Sequence, residues 1–270
     1  MTTTTRQAAT VRLPRLTFGG LLKSEWIKLR SLRSTLWSYG LMVLIAAGMG
    51  VLFSATSEIS TTPDMYQVTP ALAVQMSVLI GFMFSQLVAA VLGALVITGE
   101  YSTGMIRTTL TAAPKRVSAY IAKAVVLAVT TAAVSVVSVA AAYLASALTL
   151  MARGFDAPLF EGDTPAYIGG GILFITCVSI FALGLGALIR SGAGAIAGAL
   201  GTLLVLPLIF QLIPLEWLND LQPYLFGNLG QSLMGTFPSD LDTGLNILYL
   251  LLWPAVALVA GGIALVRRDA

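Results

Sequence analysis

Few side chains in this 270-residue sequence could do chemistry, and the missing types narrow the options first. There is no histidine. That removes Ser-His-Asp and Cys-His nucleophile systems, a haem histidine ligand and an HExxH zinc site. The single cysteine, Cys177, can form neither an internal disulfide nor a CxxC metal site. Glu58, Asp64, Glu161 and Asp163 are acids of the type that binds metals, but they are scattered over two loops. A phosphate-binding loop needs GxxxxGK[ST], because successive backbone N–H groups must wrap the phosphates. Lys23 is the only lysine followed by Ser or Thr, and Leu22 precedes it where the motif needs Gly. Any nucleotide hydrolysis that drives this protein therefore belongs to another chain.

The polar groups inside the long apolar runs carry no charge. Gln75 and Gln86 are eleven residues apart, three helical turns, so they share one helix face. Ser85 adjoins Gln86, and Thr176, Cys177 and Ser179 fall in a later run. These positions are candidates for lining a substrate path. The plainer reading is interhelical hydrogen bonding, of roughly 0.6–2 kcal/mol each. Gly194 and Gly198 form a GxxxG pair that permits close helix packing, a common motif in apolar sequence. With no charge in the uncharged runs, carboxylate relays for protons or ions are not expected.

The elements that carry these residues follow from composition. Charged residues are 10% and apolar residues 57% of the chain, with a mean hydropathy of +0.89. Soluble domains carry about 25% charged residues, so this chain is an integral membrane protein. Six uncharged gaps, at 34–57, 65–99, 124–152, 164–189, 191–215 and 243–266, are each long enough to cross about 30 Å of hydrocarbon as a helix. Trimming turn-forming ends predicts spans near 36–54, 72–98, 119–149, 167–189, 193–213 and 245–266. The runs are continuously apolar rather than alternating, which selects helices over a β-barrel. The fold class expected is all-α and polytopic. The first run is too long, and begins too far along the chain, for a cleaved signal peptide.

The loops sort by sign. Fourteen of the 15 basic residues fall on one side of a six-span layout, and only Arg153 falls on the other, together with nine of the 12 acids. The positive-inside rule then places both termini in the cytoplasm of a multi-pass cell-membrane protein. Residues 1–15 are Thr-, Ala- and Arg-rich without an apolar period, a disordered tail. The remainder, 16–270, reads as a single membrane domain.

Three segments outside the spans have their own pattern. Over 16–34, Phe18, Leu22, Trp26, Leu29 and Leu36 fall on one arc of a helix while Lys23, Lys28 and Arg30 fall outside it, with Glu25 and Arg33 blurring the boundary. This predicts an interfacial helix, apolar side toward the lipid and basic residues near anionic headgroups. Over 99–118, Met105, Ile106, Thr109 and Leu110 give an apolar stripe that Pro114 ends, a short helix between spans 2 and 3. Over 214–244, Leu218, Leu221, Leu225, Leu229 and Leu233 keep a helical period despite Pro223, suggesting two short helices at or dipping into the outer interface; an irregular loop on top of the bundle is the alternative.

The stretch formed by Gly99, Glu100, Tyr101, Gly104, Ile106, Arg107, Leu110, Pro114 and Arg116, between spans 2 and 3 of six, resembles the permease subunits of ABC-2 type transporters. The opening Leu22-Lys23-Ser24-Glu25-Trp26, continuing through Lys28-Leu29-Arg30-Ser31, is similar to the interfacial helix that precedes span 1 in that family. The resemblance implies a permease that is not itself an enzyme. It implies pairing with a second permease copy or a homologous permease, and docking on a separate cytoplasmic ABC ATPase that holds ATP with Mg2+. It implies that the loop 99–118 is a coupling helix, that the segment between spans 5 and 6 forms short re-entrant helices, and that transport runs outward. Glu100, Tyr101, Gly104, Ile106, Arg107 and Leu110 are then the ATPase-coupling residues. Glu100, at the end of span 2, is expected to pair with a basic neighbour and hold the coupling rod's angle. No cofactor is implied in this chain, and its partners are protein and membrane lipid, not nucleic acid.

The main alternative is a stand-alone secondary transporter or channel, which usually needs intramembrane charges or an inverted repeat of broken helices. Neither is visible in the sequence. A membrane enzyme or assembly factor is a third class, disfavoured by the absence of histidine and of paired membrane carboxylates.

Overall fold

The computed structural model describes residues 17–59, 68–105, 116–158 and 162–267. Among them are six helices long and apolar enough to cross a membrane, and no strands. Helix α1 (Phe18–Ser31) starts at Thr17, whose hydroxyl accepts the Gly20 N–H at 3.2 Å. One extended residue, Leu32, separates it from α2 (Arg33–Thr56). Helix α3 (Pro70–Ser102) is capped by Thr69 with proline as its first helical residue, where a missing N–H removes no bond. Then follow α4 (Arg116–Ala152) and α5 (Thr164–Ile189).

Arg190 ends α5 in the left-handed region, with φ 60°. Two residues later α6 (Gly192–Leu212) begins, with the Ser191 hydroxyl accepting the Gly194 N–H. Its middle, Gly201–Val205, widens to a π-turn just before Pro207, whose ring cannot donate to the regular ladder. The short helices α7 (Glu216–Leu221) and α8 (Phe226–Leu233) are joined by a 3₁₀ turn over Gln222–Tyr224, and α9 (Thr243–Arg267) closes the bundle.

Helix α5 sits centrally, packed on α3 and α9; α3 also packs on α2, and α2 on α4. Close approach depends on small residues. A methyl group on Gly93 of α3 would fall on the Ser179 carbonyl of α5, and one on Gly184 of α5 would meet the Ala257 backbone of α9 at 2.5 Å. Large apolar side chains such as Leu44, Leu148, Leu212 and Val256 point outward, as a lipid-facing surface requires.

The helical period over 214–244 produced helices, not an irregular loop. They also dip inward. Phe226 is fully buried, with its ring centroid 4.9 Å from Phe181 of α5 and 5.7 Å from Trp253 of α9. Trp253 lies ten residues into α9, about 15 Å along its axis. It donates its indole N–H to the Tyr224 carbonyl at 3.2 Å. Gly230 makes room for this descent, since a side chain there would collide with the Phe174 ring.

Candidate functional site

Four ionisable side chains from three helices converge where α1 meets the end of α3 and the beginning of α4. Glu25 and Lys28 stand on α1 at i and i+3, so both face the same way and pair with each other at 2.8 Å. Glu100 lies two residues before the end of α3, and Lys123 about two turns into α4. Lys123 Nζ donates to Glu25 Oε2 at 2.5 Å and to Glu100 Oε1 at 2.8 Å. Lys28 Nζ donates to the same Glu100 oxygen at 3.1 Å. Two ammonium groups thus sit between two carboxylates, and the formal charges cancel.

Burial gives this arrangement its weight. The side chains of Glu25, Glu100 and Lys123 are only 5%, 4% and 6% exposed. Breaking a buried ion pair by removing one partner typically costs about 3–5 kcal/mol, because the other charge is left without compensation. Lys28 is the wetter member at 24%. Burial works to lower its pKa, but the hydrogen bonds and charges of Glu25 and Glu100 together outweigh that, and the net shift is upward from 10.5. A cavity of about 140 Å³, lined by all four residues and by Met105, adjoins the cluster. The second oxygen of Glu100, Oε2, is buried and makes no hydrogen bond among the described residues.

The expected partner for Glu100 is therefore present, and there are two of them. One expectation changes. Ionisable groups do lie buried in the spans, because the helices holding Glu100 and Lys123 extend past the uncharged runs. Helix α1 forms over the predicted stretch. Glu25 and Leu29 are buried, while Phe18 and Trp26 are about half exposed. The aromatic edge is left for lipid, and the inward face is the one carrying a carboxylate.

The neighbouring residues extend the tie. The Tyr101 ring lies under the Arg190 guanidinium, 5.2 Å from its carbon to the ring centroid, a cation–π contact. Arg190 also donates to the Ala264 carbonyl at 3.3 Å, and Arg116 donates to the Leu265 carbonyl at 3.4 Å. The ends of α3, α4, α5 and α9 are thereby linked at one end of the bundle. Gly104 follows the close of α3 with φ 71°, a left-handed residue that turns the chain out of the helix, and its N–H reaches the Tyr101 carbonyl at 3.3 Å. No described residue lies within 4 Å of where its side chain would be, and the left-handed turn is what calls for glycine here. Ile106, Arg107 and Leu110 lie outside the described residues.

Gln75 and Gln86 are not brought into one site. They lie about 16 Å apart along α3, with Gln86 buried and Gln75 half-buried. At the opposite end of the bundle Arg153 donates to the Ser54 and Ser57 carbonyls, and the hydroxyls of Ser54 and Ser146 meet at 2.6 Å.

Sequence reasoning overlooked Lys123, Lys28 and Glu25 as members of the site. The signals were there. A lysine inside a predicted span needs a partner, and a glutamate inside an apolar arc needs a cation.

A family model described as ABC-2 family transporter protein matches residues 21–200. The match takes in all four charged residues of the cluster and the segment after Glu100. No curated protein matches the chain.

Proposed function

The chain belongs to the ABC-2 transporter family, and from that premise we propose that it is the membrane subunit of an ATP-driven exporter worked through residues 99–118. A separate cytoplasmic ATPase binds and hydrolyses ATP with Mg2+. Two permeases, identical or homologous, pair in the cell membrane with both termini and the segment 99–118 on the ATPase side. Permease membership, transport and a multi-pass membrane position come with the family and the six apolar helices. The ATPase, the direction and the orientation belong to this proposal.

One observation carries it. The residue at the root of the segment, Glu100, is held by Lys28 of α1 and Lys123 of α4. A push on a free loop would be absorbed in the loop. A push on a segment rooted in this cluster moves α1, α3 and α4 together, because separating them would expose uncompensated buried charge. Ile106 and Leu110 are the apolar groups for a groove on the ATPase, Arg107 the charge for its rim, and Tyr101 with Gly104 the joint that aims them. Gln75 and Gln86 are the polar positions for a cargo path along α3.

The test is co-purification with a P-loop ATPase, sought first in the neighbouring reading frames, followed by transport in liposomes. Ile106→Asp and Gly104→Trp are expected to leave membrane insertion intact and abolish ATP-driven transport. Normal transport by both variants would overturn the coupling role, and transport by the purified chain without any ATPase would place it among stand-alone transporters.

A further inference from the structure

A groove of about 660 Å³ lies between helices α4 and α9 at the end of the bundle that carries the charge cluster. Its walls are apolar: Tyr120, Ile121 and Val125 on α4, Val259 and Ile263 on α9, with Ile180 of α5 at the back. Its length is informative. The lining on α4 runs from Val117 to Ala128, twelve residues or about 16 Å of helix. One leaflet of hydrocarbon is about 15 Å deep. The groove is therefore about as long as one leaflet is deep.

Its mouth is basic. Arg267 is exposed and lines the groove. Arg116 stands at the first described turn of α4, with one guanidinium nitrogen on the Leu265 carbonyl. The last-turn carbonyls of α9, which would repel an anion, are occupied by cations, since Arg190 takes Ala264 and Arg116 takes Leu265. The end of the groove thus offers positive charge at the mouth of an apolar slot one acyl chain long.

We infer that this groove is a binding site for an anionic phospholipid, one acyl chain lying between α4 and α9 and the phosphate held by Arg267 and Arg116. The leaflet is the cytoplasmic one if the orientation proposed above holds; the groove itself does not depend on it. A lipid seated there would lie against both α4 and α9. Since α4 carries Lys123, its occupancy would bear on the helix that anchors the coupling segment.

The experiment uses the full chain, delipidated in detergent and mixed with phosphatidylglycerol or phosphatidylcholine, with bound lipid counted by native mass spectrometry. The expected result is a roughly five-fold preference for phosphatidylglycerol, the ratio one arginine near an anionic surface supplies. Arg267→Gln is expected to weaken the preference, with Arg116 still present, while keeping some lipid. Gly262→Phe, placed where only the Tyr120 ring stands near, 3.7 Å away, fills the slot and is expected to lose both lipids. Leu44→Phe on the lipid-facing side of α2 should change neither.

Equal retention of the two lipids by the unmodified chain would mean ordinary annular lipid and overturn the inference. So would a disulfide cross-link between protomers from Ile121→Cys paired with Val259→Cys, which would seat a second copy in the groove. If phosphatidylglycerol is preferred but labelling finds residue 267 on the outer side, the groove stands and the proposed orientation falls.

Discussion

Lys123 of α4 meets Glu25 of α1 at 2.5 Å across 98 residues of sequence, and both side chains are almost entirely buried. The same ammonium holds Glu100 at the end of α3. A helix before the first span, the end of the second and the beginning of the third are thus joined through one nitrogen.

Lys123→Met should therefore be far more damaging than Lys28→Met. The first leaves Glu25 and Glu100 buried with only the half-wet Lys28 between them, and about 3–5 kcal/mol is expected to be lost. Lys28 is the more exposed of the two ammonium groups, so its removal should cost less. Thermal unfolding in detergent measures both. A Glu25→Gln, Lys123→Met double variant, which leaves Lys28 and Glu100 as a neutral pair, should recover part of the Lys123→Met loss; equal damage from the two single variants would mean that the cluster is not a buried unit.

The alkaline limb of stability should report Lys28. Its pKa is raised in the folded chain, so the stabilisation it brings is fully present below the ordinary lysine value of 10.5 and is lost as pH rises through the higher folded value. The unfolding midpoint should accordingly hold up to about pH 10 and then fall. Lys28→Arg, whose guanidinium keeps its proton, should delay that fall. An identical alkaline profile in the two proteins would assign the limb to other groups.

Gly104 should resist replacement for conformational reasons alone. With φ 71°, Gly104→Ala meets no described neighbour within 4 Å but carries about 1–2 kcal/mol of left-handed strain. Gly104→Asn should be better tolerated, because asparagine enters that region more readily. ATP-driven transport is expected to fall in the order Gly, Asn, Ala while expression stays level. Equal activity of Ala and Asn would remove the turn from the coupling mechanism.

Two glycines that look alike in sequence should behave oppositely. Gly93→Ala drives a methyl group into the Ser179 backbone where α3 crosses α5, and the bundle should lose stability by several kcal/mol or fail to assemble. Gly48→Ala in α2 has nothing within 4 Å and should be neutral or gain up to about 1 kcal/mol from helix propensity. Size-exclusion profiles and unfolding midpoints separate the two.

The six spans were legible because the lipid imposes a local rule. Each crossing needs a continuous apolar stretch of sufficient length with its backbone bonds satisfied internally, and no distant residue is required to see it. The observed helices depart from the predicted limits by at most four residues, the largest departure being the extension of α3 from 98 to Ser102, which brings Glu100 into the helix. The pairing of α7 and α8 was legible for a similar reason, since Leu218 to Leu233 keep a helical period through Pro223. The depth to which Phe226 descends was not, because it depends on Phe181 and Trp253, distant in sequence.

The charge cluster marks the same division. Sequence alone determined that Glu25, Lys28, Glu100 and Lys123 lie near membrane ends, where charge is tolerated. It could not say whether they meet water, headgroups or one another. Only the packing of α1 against α4, with α3 alongside, turned four apparently ordinary interface charges into a largely buried, neutral set. The physical reason is that a lone charge near the membrane boundary can remain hydrated, whereas helices closing over it leave an opposite charge, from wherever in the chain, as its principal compensation.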